Sequence, residues 1–125
     1  MDTKFLVTGL TCDAVPQAIL AIGAKPRWVD IDPSTLAMNP ALAQEAITAS
    51  TKAIIVQHSF GIEADLEPFQ KIASSNSIPI IEDCCLALGS KRADSSLIGS
   101  GNHDAFWSFE VTKTISAGWG GIALV

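Results

Sequence analysis

Short apolar runs alternate with helical patterns along this chain, and this alternation constrains the fold more than any other feature. Nearly continuous apolar stretches predict strands at residues 5–8, 27–31, 52–57, 78–81, 105–109 and 121–125. The patterns between them predict helices at residues 14–22, 40–47 and 66–74. Strands joined through helices need crossover connections, so the sequence predicts an α/β fold whose mostly parallel sheet is covered on both faces.

Capping residues support two of the predicted helices. Asp13 precedes the first helical pattern, where its side chain could cap the helix, and Gly23 follows that pattern as a terminator. Asn39 and Pro40 form a cap followed by a proline at the first helical position. We therefore expect both helices to begin at these residues.

Composition and charge exclude several classes of function. The chain has 125 residues, which fits one domain or part of one, and 48% of them are hydrophobic. Its net charge of −5 argues against a nucleic-acid surface, because phosphate binding needs clustered basic residues. No apolar run approaches the roughly 20 residues that span a bilayer, and the first residues lack a signal-peptide pattern. These features predict a cytoplasmic protein with neither a membrane nor a nucleic acid as its partner.

Cysteine and histidine spacing argues against a disulfide framework and against a metal site. The three cysteines are Cys12 and the adjacent pair Cys84 and Cys85, which is an unsuitable set for paired bridges. The chain has no Cys-x-x-Cys motif, and His58 and His103 are far apart in the sequence. We therefore expect no metal.

The last predicted strand reaches Val125 without a turn, a cap or a polar tail. A natural domain rarely stops inside a buried apolar strand. This pattern leads us to expect that the chain is truncated.

Three polar residues lie where the ligands of open parallel sheets bind, beyond the carboxyl ends of the strands. Asp83 follows one apolar strand, Ser108 lies in the next, and Lys113 lies in the Gly/Ser/Thr-rich loop after it. Each has an ordinary alternative: a helix cap for Asp83, a small core residue for Ser108 and a surface charge for Lys113. Pyridoxal phosphate needs a lysine for its aldehyde and an acid for its ring nitrogen. The sequence also lacks the glycine motifs of nucleotide-binding loops.

Three sequence runs carry a resemblance to a known family. They are GAKPRWVDIDPSTLAMNPALAQEAITASTKAIIVQHSFG, PIIEDCCLALGS and DAFWSFEVTKTISAGWGG. In order and spacing, the chain resembles the DegT/DnrJ/EryC1/StrS family of sugar aminotransferases from about residue 10 to residue 125. The resemblance implies the large domain of a fold-type-I aminotransferase, a three-layer α/β/α sandwich.

The resemblance also implies roles for the three polar residues. Asp83 matches the acid that pairs with the pyridinium nitrogen of pyridoxal phosphate, and Ser108 matches a serine that donates to the cofactor phosphate. Lys113 matches the catalytic lysine, which bonds to the cofactor aldehyde and then transfers a proton during the reaction. A related group that dehydrates sugars has histidine in place of this lysine, so Lys113 favours the aminotransferases.

The chain also departs from the family pattern. Leu86 stands where the family usually has a Gln or His near the cofactor's 3-hydroxyl, and leucine cannot donate a hydrogen bond. Cys12 stands where many members stack an aromatic ring, and Trp119 where many have an acid. By this resemblance, residues 1–125 form a partial large domain, without the phosphate-binding Ser-Gly-Thr segment upstream and without the small C-terminal domain.

The resemblance implies an enzyme that moves an amino group from an amino acid, usually glutamate, to a keto group of a nucleotide-linked sugar. The product would enter polysaccharide or antibiotic-sugar synthesis, and the full-length protein would be a homodimer. We expect the short chain to be inactive alone. Two alternatives stay open: another fold-type-I pyridoxal-phosphate enzyme acting on amino acids, or a truncated, non-catalytic remnant.

Overall fold

Six strands form one sheet in the computed structural model, which describes residues 2–125. The order across the sheet is β2-β1-β3-β4-β5-β6. The strands are β1 (Lys4–Thr8), β2 (Lys25–Val29), β3 (Thr51–Gln57), β4 (Ile80–Asp83), β5 (Asp104–Ser108) and β6 (Gly121–Leu124). The helices are α1 (Ala14–Ala21), α2 (Pro40–Ala46) and α3 (Glu67–Asn76), and a 3-10 turn spans Ser59–Gly61.

The sheet is mostly parallel, as the alternation of apolar runs and helical patterns predicts. Strands β1 to β5 pair in parallel with their neighbours, and only β6 runs antiparallel, against β5. The three predicted central strands are β3, β4 and β5, although β5 is less buried than the other two. The 3-10 turn and α3 lie between β3 and β4 along the chain, and one extended loop connects β4 to β5.

Helices pack on both faces of the sheet and make three layers. On one face, α2 and α3 cover a core that includes Leu6, Ile54 and Val56. On the other face, α1 contributes Ile19, which packs with Val7 and Ile55. The two sets alternate along each strand because successive side chains point to opposite faces. This arrangement confirms the predicted three-layer α/β/α sandwich.

One predicted helix cap is correct and the other is wrong. The Asn39 carboxamide oxygen accepts hydrogen bonds from the Ala41 and Leu42 backbone N–H groups, at 2.9 and 3.3 Å, so it caps α2 as expected. Asp13 makes no cap hydrogen bond, because its own backbone is already helical (φ −60°, ψ −23°). A cap residue needs an extended backbone to turn its side chain back toward the helix.

Two strands begin elsewhere than their apolar runs predict. Strand β4 starts at Ile80 instead of residue 78, because α3 ends at Asn76 with Ser77 as a left-handed cap (φ 53°), and the chain needs two more residues to enter the sheet. Strand β2 begins at Lys25, two residues early, because Lys25 pairs with Lys4 at the start of β1. The end of the preceding helix at β4, and the pairing partner at β2, set these boundaries rather than local hydrophobicity. In residues 2–125, no helix combines the length and apolar character needed to cross a bilayer.

Candidate functional site

The carboxyl ends of β3, β4 and β5 lie side by side and bring polar side chains to one edge of the sheet. Gln57 is opposite Asp83, and Asp83 is opposite Phe106. Paired residues in a parallel sheet share a face, and so do residues two apart on one strand. Gln57, Asp83 and Ser108 therefore lie on the face that carries α1.

Asp83 is buried, with 4% of its surface exposed, and its position is fixed by two neighbours. Its carboxylate accepts a hydrogen bond from the Cys85 backbone N–H at 3.0 Å, and its carbonyl accepts one from the His58 N–H at 3.0 Å. Burial raises the pKa of Asp83 above its ordinary value, although the hydrogen bonds from Cys85 and the charge of Lys113 oppose this shift. No helix follows Asp83, so the helix-cap alternative fails; the carboxylate closes a turn instead.

Lys113 lies in the loop between β5 and β6, close to Asp83. Its backbone N–H donates to the Glu110 carbonyl at 3.0 Å, which folds the loop back toward the strand ends. Asp83 and Lys113 both line one cavity of about 250 Å³. The structure thus brings together the acid and the amine that the sequence singled out.

Ser108 borders a second, larger cavity of about 650 Å³, which adjoins the first. Its hydroxyl accepts a hydrogen bond from the Glu110 backbone N–H at 3.3 Å. Lys113, Cys12 and Cys85 line both cavities, so the two spaces form one cleft with Asp83 at one end and Ser108 at the other. We call this space the cleft.

The three positions that depart from the family pattern lie in different surroundings. Cys12 and Leu86 line the cavity that contains Asp83, whereas Trp119 is 81% exposed and lines neither cavity. Burial and the nearby Asp83 carboxylate raise the pKa of Cys85, so its thiol stays protonated. The cleft therefore holds one amine, Lys113, and two carboxylates, Asp83 in the smaller cavity and Glu110 in the larger one.

A buried charge network on the opposite face was not predicted. The Glu82 carboxylate contacts His58 Nε2 at 2.9 Å and accepts a hydrogen bond from Arg92 at 2.7 Å. The Ala64 backbone N–H donates to His58 Nδ1 at 3.0 Å, so the neutral ring carries its proton on Nε2 and donates to Glu82. Strand alternation could have suggested this network, because Glu82 adjoins Asp83 and must point into the opposite, buried layer.

His58, Glu82 and Cys84 lie close enough together to raise the question of a metal site. Their ligand atoms are all within 4.8 Å of one another. Both ring nitrogens of His58 are already used in hydrogen bonds, however, and burial raises the pKa of Cys84 to about 12. A protonated thiol is a poor metal ligand. We describe the group as a hydrogen-bond network, and the expectation of no metal stays a prediction.

The charge network makes a prediction about acid stability. Burial alone would raise the pKa of Glu82, but the hydrogen bonds from His58 and Arg92 outweigh burial and lower it. The stabilisation is therefore present above the unfolded-state pKa of about 4.3 and is lost as the pH falls through the lower folded-state value. We expect Arg92→Met to reduce the free energy of unfolding by about 3 kcal/mol at neutral pH, and by less at an acidic pH below the lowered folded-state pKa of Glu82, where this carboxylate is protonated.

Urea denaturation at the two pH values measures this difference. Lys71→Met is the matched control, because it removes an exposed Glu67–Lys71 pair on the surface of α3. An exposed pair of this kind contributes only about 0.3–0.5 kcal/mol. An Arg92→Met loss of the same size at both pH values would contradict an ionic role for the network.

Comparison with known proteins shows a match along the entire chain. The model of the DegT/DnrJ/EryC1/StrS aminotransferase family matches residues 1–125. An L-glutamine:2-deoxy-scyllo-inosose aminotransferase from Streptoalloteichus tenebrarius is 35% identical over 121 residues. That alignment covers 97% of this chain and 28% of the relative, so the chain spans less than a third of that protein's length.

Solved structures share the fold at comparable identity. The sugar aminotransferase CalS13 from Micromonospora echinospora superposes with a TM-score of 0.89 at 29% identity, covering 98% of this chain and 35% of the other. NtdA from Bacillus subtilis, solved with bound cofactor PMP, superposes with a TM-score of 0.87 at 28% identity, covering 100% of this chain and 28% of the other. The fold of this chain is thus shared with about a third of each of these two structures.

Proposed function

Because the chain belongs to the DegT/DnrJ/EryC1/StrS family of pyridoxal-phosphate aminotransferases, we propose that its cleft binds pyridoxal phosphate for amino transfer. The observation that carries this proposal is that Asp83 and Lys113 line one cavity. A buried acid and an amine in one cleft are the two groups that the cofactor's ring nitrogen and aldehyde require.

The residues present fit this cofactor by their chemistry. The cleft offers an amine at Lys113, a buried carboxylate at Asp83 and a hydroxyl at Ser108, with the apolar side chains of Ile55, Ile81 and Phe106 nearby. When bound, pyridoxal phosphate supplies an aldehyde that accepts the amino group and a cationic ring that withdraws electrons from the bond being broken.

Each of the three polar residues has a separate task in this proposal. Asp83 holds a proton on the ring nitrogen; a cation beside the carboxylate offsets the cost of its burial and favours its ionised form. Lys113 holds the cofactor in place. It also moves a proton between the substrate carbon and the cofactor carbon that share the amino nitrogen during transfer. Ser108 orients the phosphate with its hydroxyl, at the end of the cleft away from Asp83.

The substrates follow from the family and its members' chemistry. We propose that the acceptor is a keto group on a nucleotide-linked sugar and that the donor is glutamate or glutamine; the name of the Streptoalloteichus relative supports glutamine. The sites would act in a cytoplasmic homodimer that feeds polysaccharide or antibiotic-sugar synthesis. In this view residues 1–125 are the central part of a large domain, and an upstream phosphate-binding segment and a small C-terminal domain complete the protein.

The short chain gives a direct test of this proposal. We expect the 125 residues alone to bind pyridoxal phosphate weakly and to give no amino transfer, because the remaining phosphate contacts and the cover over the cleft lie outside the chain. Charge-assisted hydrogen bonds contribute about 1.5–3 kcal/mol each, so losing several of them lowers affinity by orders of magnitude. Absorbance titration measures binding, and chromatography of the amino acid and keto acid measures transfer.

The matched experiment uses a protein extended on both sides to the length of its relatives. It should bind the cofactor tightly and convert it to the aminated form when given glutamine or glutamate. A panel of nucleotide-linked keto sugars, free cyclitol ketones and α-keto acids then identifies the acceptor class. Robust transfer by the short chain would refute its expected inactivity, and an extended protein that uses only α-keto acids would refute the sugar acceptor.

A further inference from the structure

Phe60 holds an exposed aromatic ring at the cleft on a left-handed backbone. Its φ of 57° and ψ of 22° lie in a region that favours glycine, and 64% of the residue is exposed. An aromatic residue in this conformation costs stability, and a ring that is not buried in the core does not offset that cost. The position therefore points to a role in binding, because residues with such a backbone cluster at ligand sites.

The turn that carries Phe60 is fixed on both sides of this residue. Ser59 is buried, and its hydroxyl accepts a hydrogen bond from the Gln57 side-chain amide at 2.9 Å. Gly61 packs so closely against the next loop that a Cβ atom there would lie 3.2 Å from the Leu86 carbonyl oxygen. The backbone of Phe60 is therefore held in its left-handed conformation, which keeps the ring at the cleft.

Two further exposed apolar side chains lie at the cleft with Phe60. Leu10 follows β1, Phe60 follows β3 and Leu86 follows β4, and these three strands are neighbours in the sheet. All three residues are exposed, and all three line the cavity of about 250 Å³ that Asp83 and Lys113 also line. We call Leu10, Phe60 and Leu86 the apolar rim. Exposed apolar residues grouped beside a polar site are typical of a surface that a ligand covers.

We propose that Phe60 is a specificity-determining residue whose ring lies against the C–H face of the acceptor substrate, beside its keto group. This inference rests on the proposed function. Lys113 marks the place of the reacting carbon, and Phe60 shares the smaller cavity with it, whereas Ser108, at the phosphate end, borders only the larger one. Among residues 2–125, Phe60 is the only aromatic residue that lines the smaller cavity.

The chemistry of the apolar rim favours the acceptor over the amino donor. Glutamate and glutamine carry polar groups at both ends, and burying such groups against apolar side chains without hydrogen bonds is unfavourable. The hydrogens on the ring carbons of a sugar or cyclitol form an apolar patch, which an aromatic side chain can bury. Both substrates exchange the amino group at the same atom of the cofactor, so the rest of their structure must distinguish them. The apolar rim therefore recognises the acceptor ring.

Two substitutions in the extended protein separate the ring from the backbone that carries it. Phe60→Gly removes the ring and suits the left-handed backbone, whereas Phe60→Tyr keeps the ring. We expect Phe60→Gly to lower kcat/KM for the sugar or cyclitol acceptor by about tenfold or more, as loss of one aromatic contact does, and Phe60→Tyr to stay close to the unaltered protein. For the amino donor and for its keto acid, kcat/KM should not change. Trp28→Ala is the control, because this exposed aromatic residue of β2 lines neither cavity.

Thermal unfolding and cofactor titration supply measurements that do not depend on turnover. Without cofactor, Phe60→Gly should melt at the same temperature as the unaltered extended protein or higher, because glycine adopts the left-handed backbone without strain. A clear drop would overturn the proposal by showing that another part of the protein covers the ring. Weaker binding of pyridoxal phosphate, or an equal fall in kcat/KM for donor and acceptor, would overturn it by placing the ring against the cofactor.

The remaining outcomes separate this inference from the proposed function. An unchanged kcat/KM for the acceptor in Phe60→Gly would overturn the role of Phe60 alone. Failure of the unaltered extended protein to transfer an amino group to any sugar or cyclitol ketone would overturn the proposed function and, with it, this inference.

Discussion

Replacing Lys113 with alanine is expected to abolish covalent attachment of pyridoxal phosphate and to stop amino transfer in the extended protein. Among residues 2–125, Lys113 is the only amine whose side chain lines the two cavities of the cleft. Its removal takes away both the bond to the cofactor aldehyde and the proton transfer, and positioned proton transfer alone contributes about 10²–10⁴-fold to a rate. We therefore expect a loss at least that large.

Borohydride reduction makes the attachment measurable. The reduced adduct is stable, and mass spectrometry of the digested protein assigns it to one lysine. In the unaltered chain the label should fall on the peptide that contains Lys113, and Lys91→Ala, which changes an exposed loop lysine, should leave it there. Label or amino transfer that survives Lys113→Ala would refute the role given to this residue.

Asp83→Asn is expected to lower amino transfer by about 10²–10⁴-fold while leaving the fold intact. The amide keeps the shape and can still accept the hydrogen bond from the Cys85 N–H, but it carries no charge to hold a proton on the ring nitrogen. Loss of one partner of a buried ion pair costs about 3–5 kcal/mol, and every 1.4 kcal/mol corresponds to a factor of ten. Steady-state rates of the extended protein measure the effect.

The same substitution makes an opposite prediction for stability without cofactor. Burial raises the pKa of Asp83, so the folded chain binds this proton more tightly than the unfolded chain, and the ionised carboxylate destabilises the fold at neutral pH. This cost develops as the pH rises from the unfolded value of about 3.9 through the higher folded value. Asp83→Asn should therefore unfold at an equal or higher urea concentration than the unaltered chain. Asp104→Asn is the control for both measurements, because it changes an exposed carboxylate at the first residue of β5. If Asp104→Asn lowered amino transfer as much as Asp83→Asn, a specific role for Asp83 would be contradicted.

The sheet was predictable from the sequence because buried parallel strands have a strong hydrophobic signature. Strand β3 is apolar along nearly its full length; its observed start lies one residue before the predicted one, and its predicted end at Gln57 is correct. The exact start of β2 at Lys25 depended on a pairing partner far away in the sequence, and the start of β4 at Ile80 depended on how the preceding helix ends. The Asp13 cap was wrong because composition does not reveal whether a backbone is extended or already helical.

The cleft was predictable only in part, for a related reason. The sequence predicted Asp83, Ser108 and Lys113 as site residues because ligands of open parallel sheets bind beyond the carboxyl ends of the strands. That prediction needs only the order of strands and helices and no knowledge of atomic contacts. The His58–Glu82–Arg92 network depends on the contacts of single atoms. Strand alternation indicates that Glu82 is buried, but residue type and spacing do not show which donor a given oxygen finds, so these contacts became visible only in three dimensions.

The strand order implies a particular sequence of events when the chain is synthesised. Strand β1 lies between β2 and β3, so the β1–α1–β2 unit can assemble early, while the other edge of β1 has no neighbour until residue 57 has left the ribosome. Each later parallel pair must also close a long connection before its contacts form, and such topologies fold slowly. An open edge beside an apolar strand invites pairing with other chains during this delay. The yield of folded protein is thus governed by the speed of assembly relative to aggregation, and slower synthesis or a holding chaperone should raise it without any change in final stability.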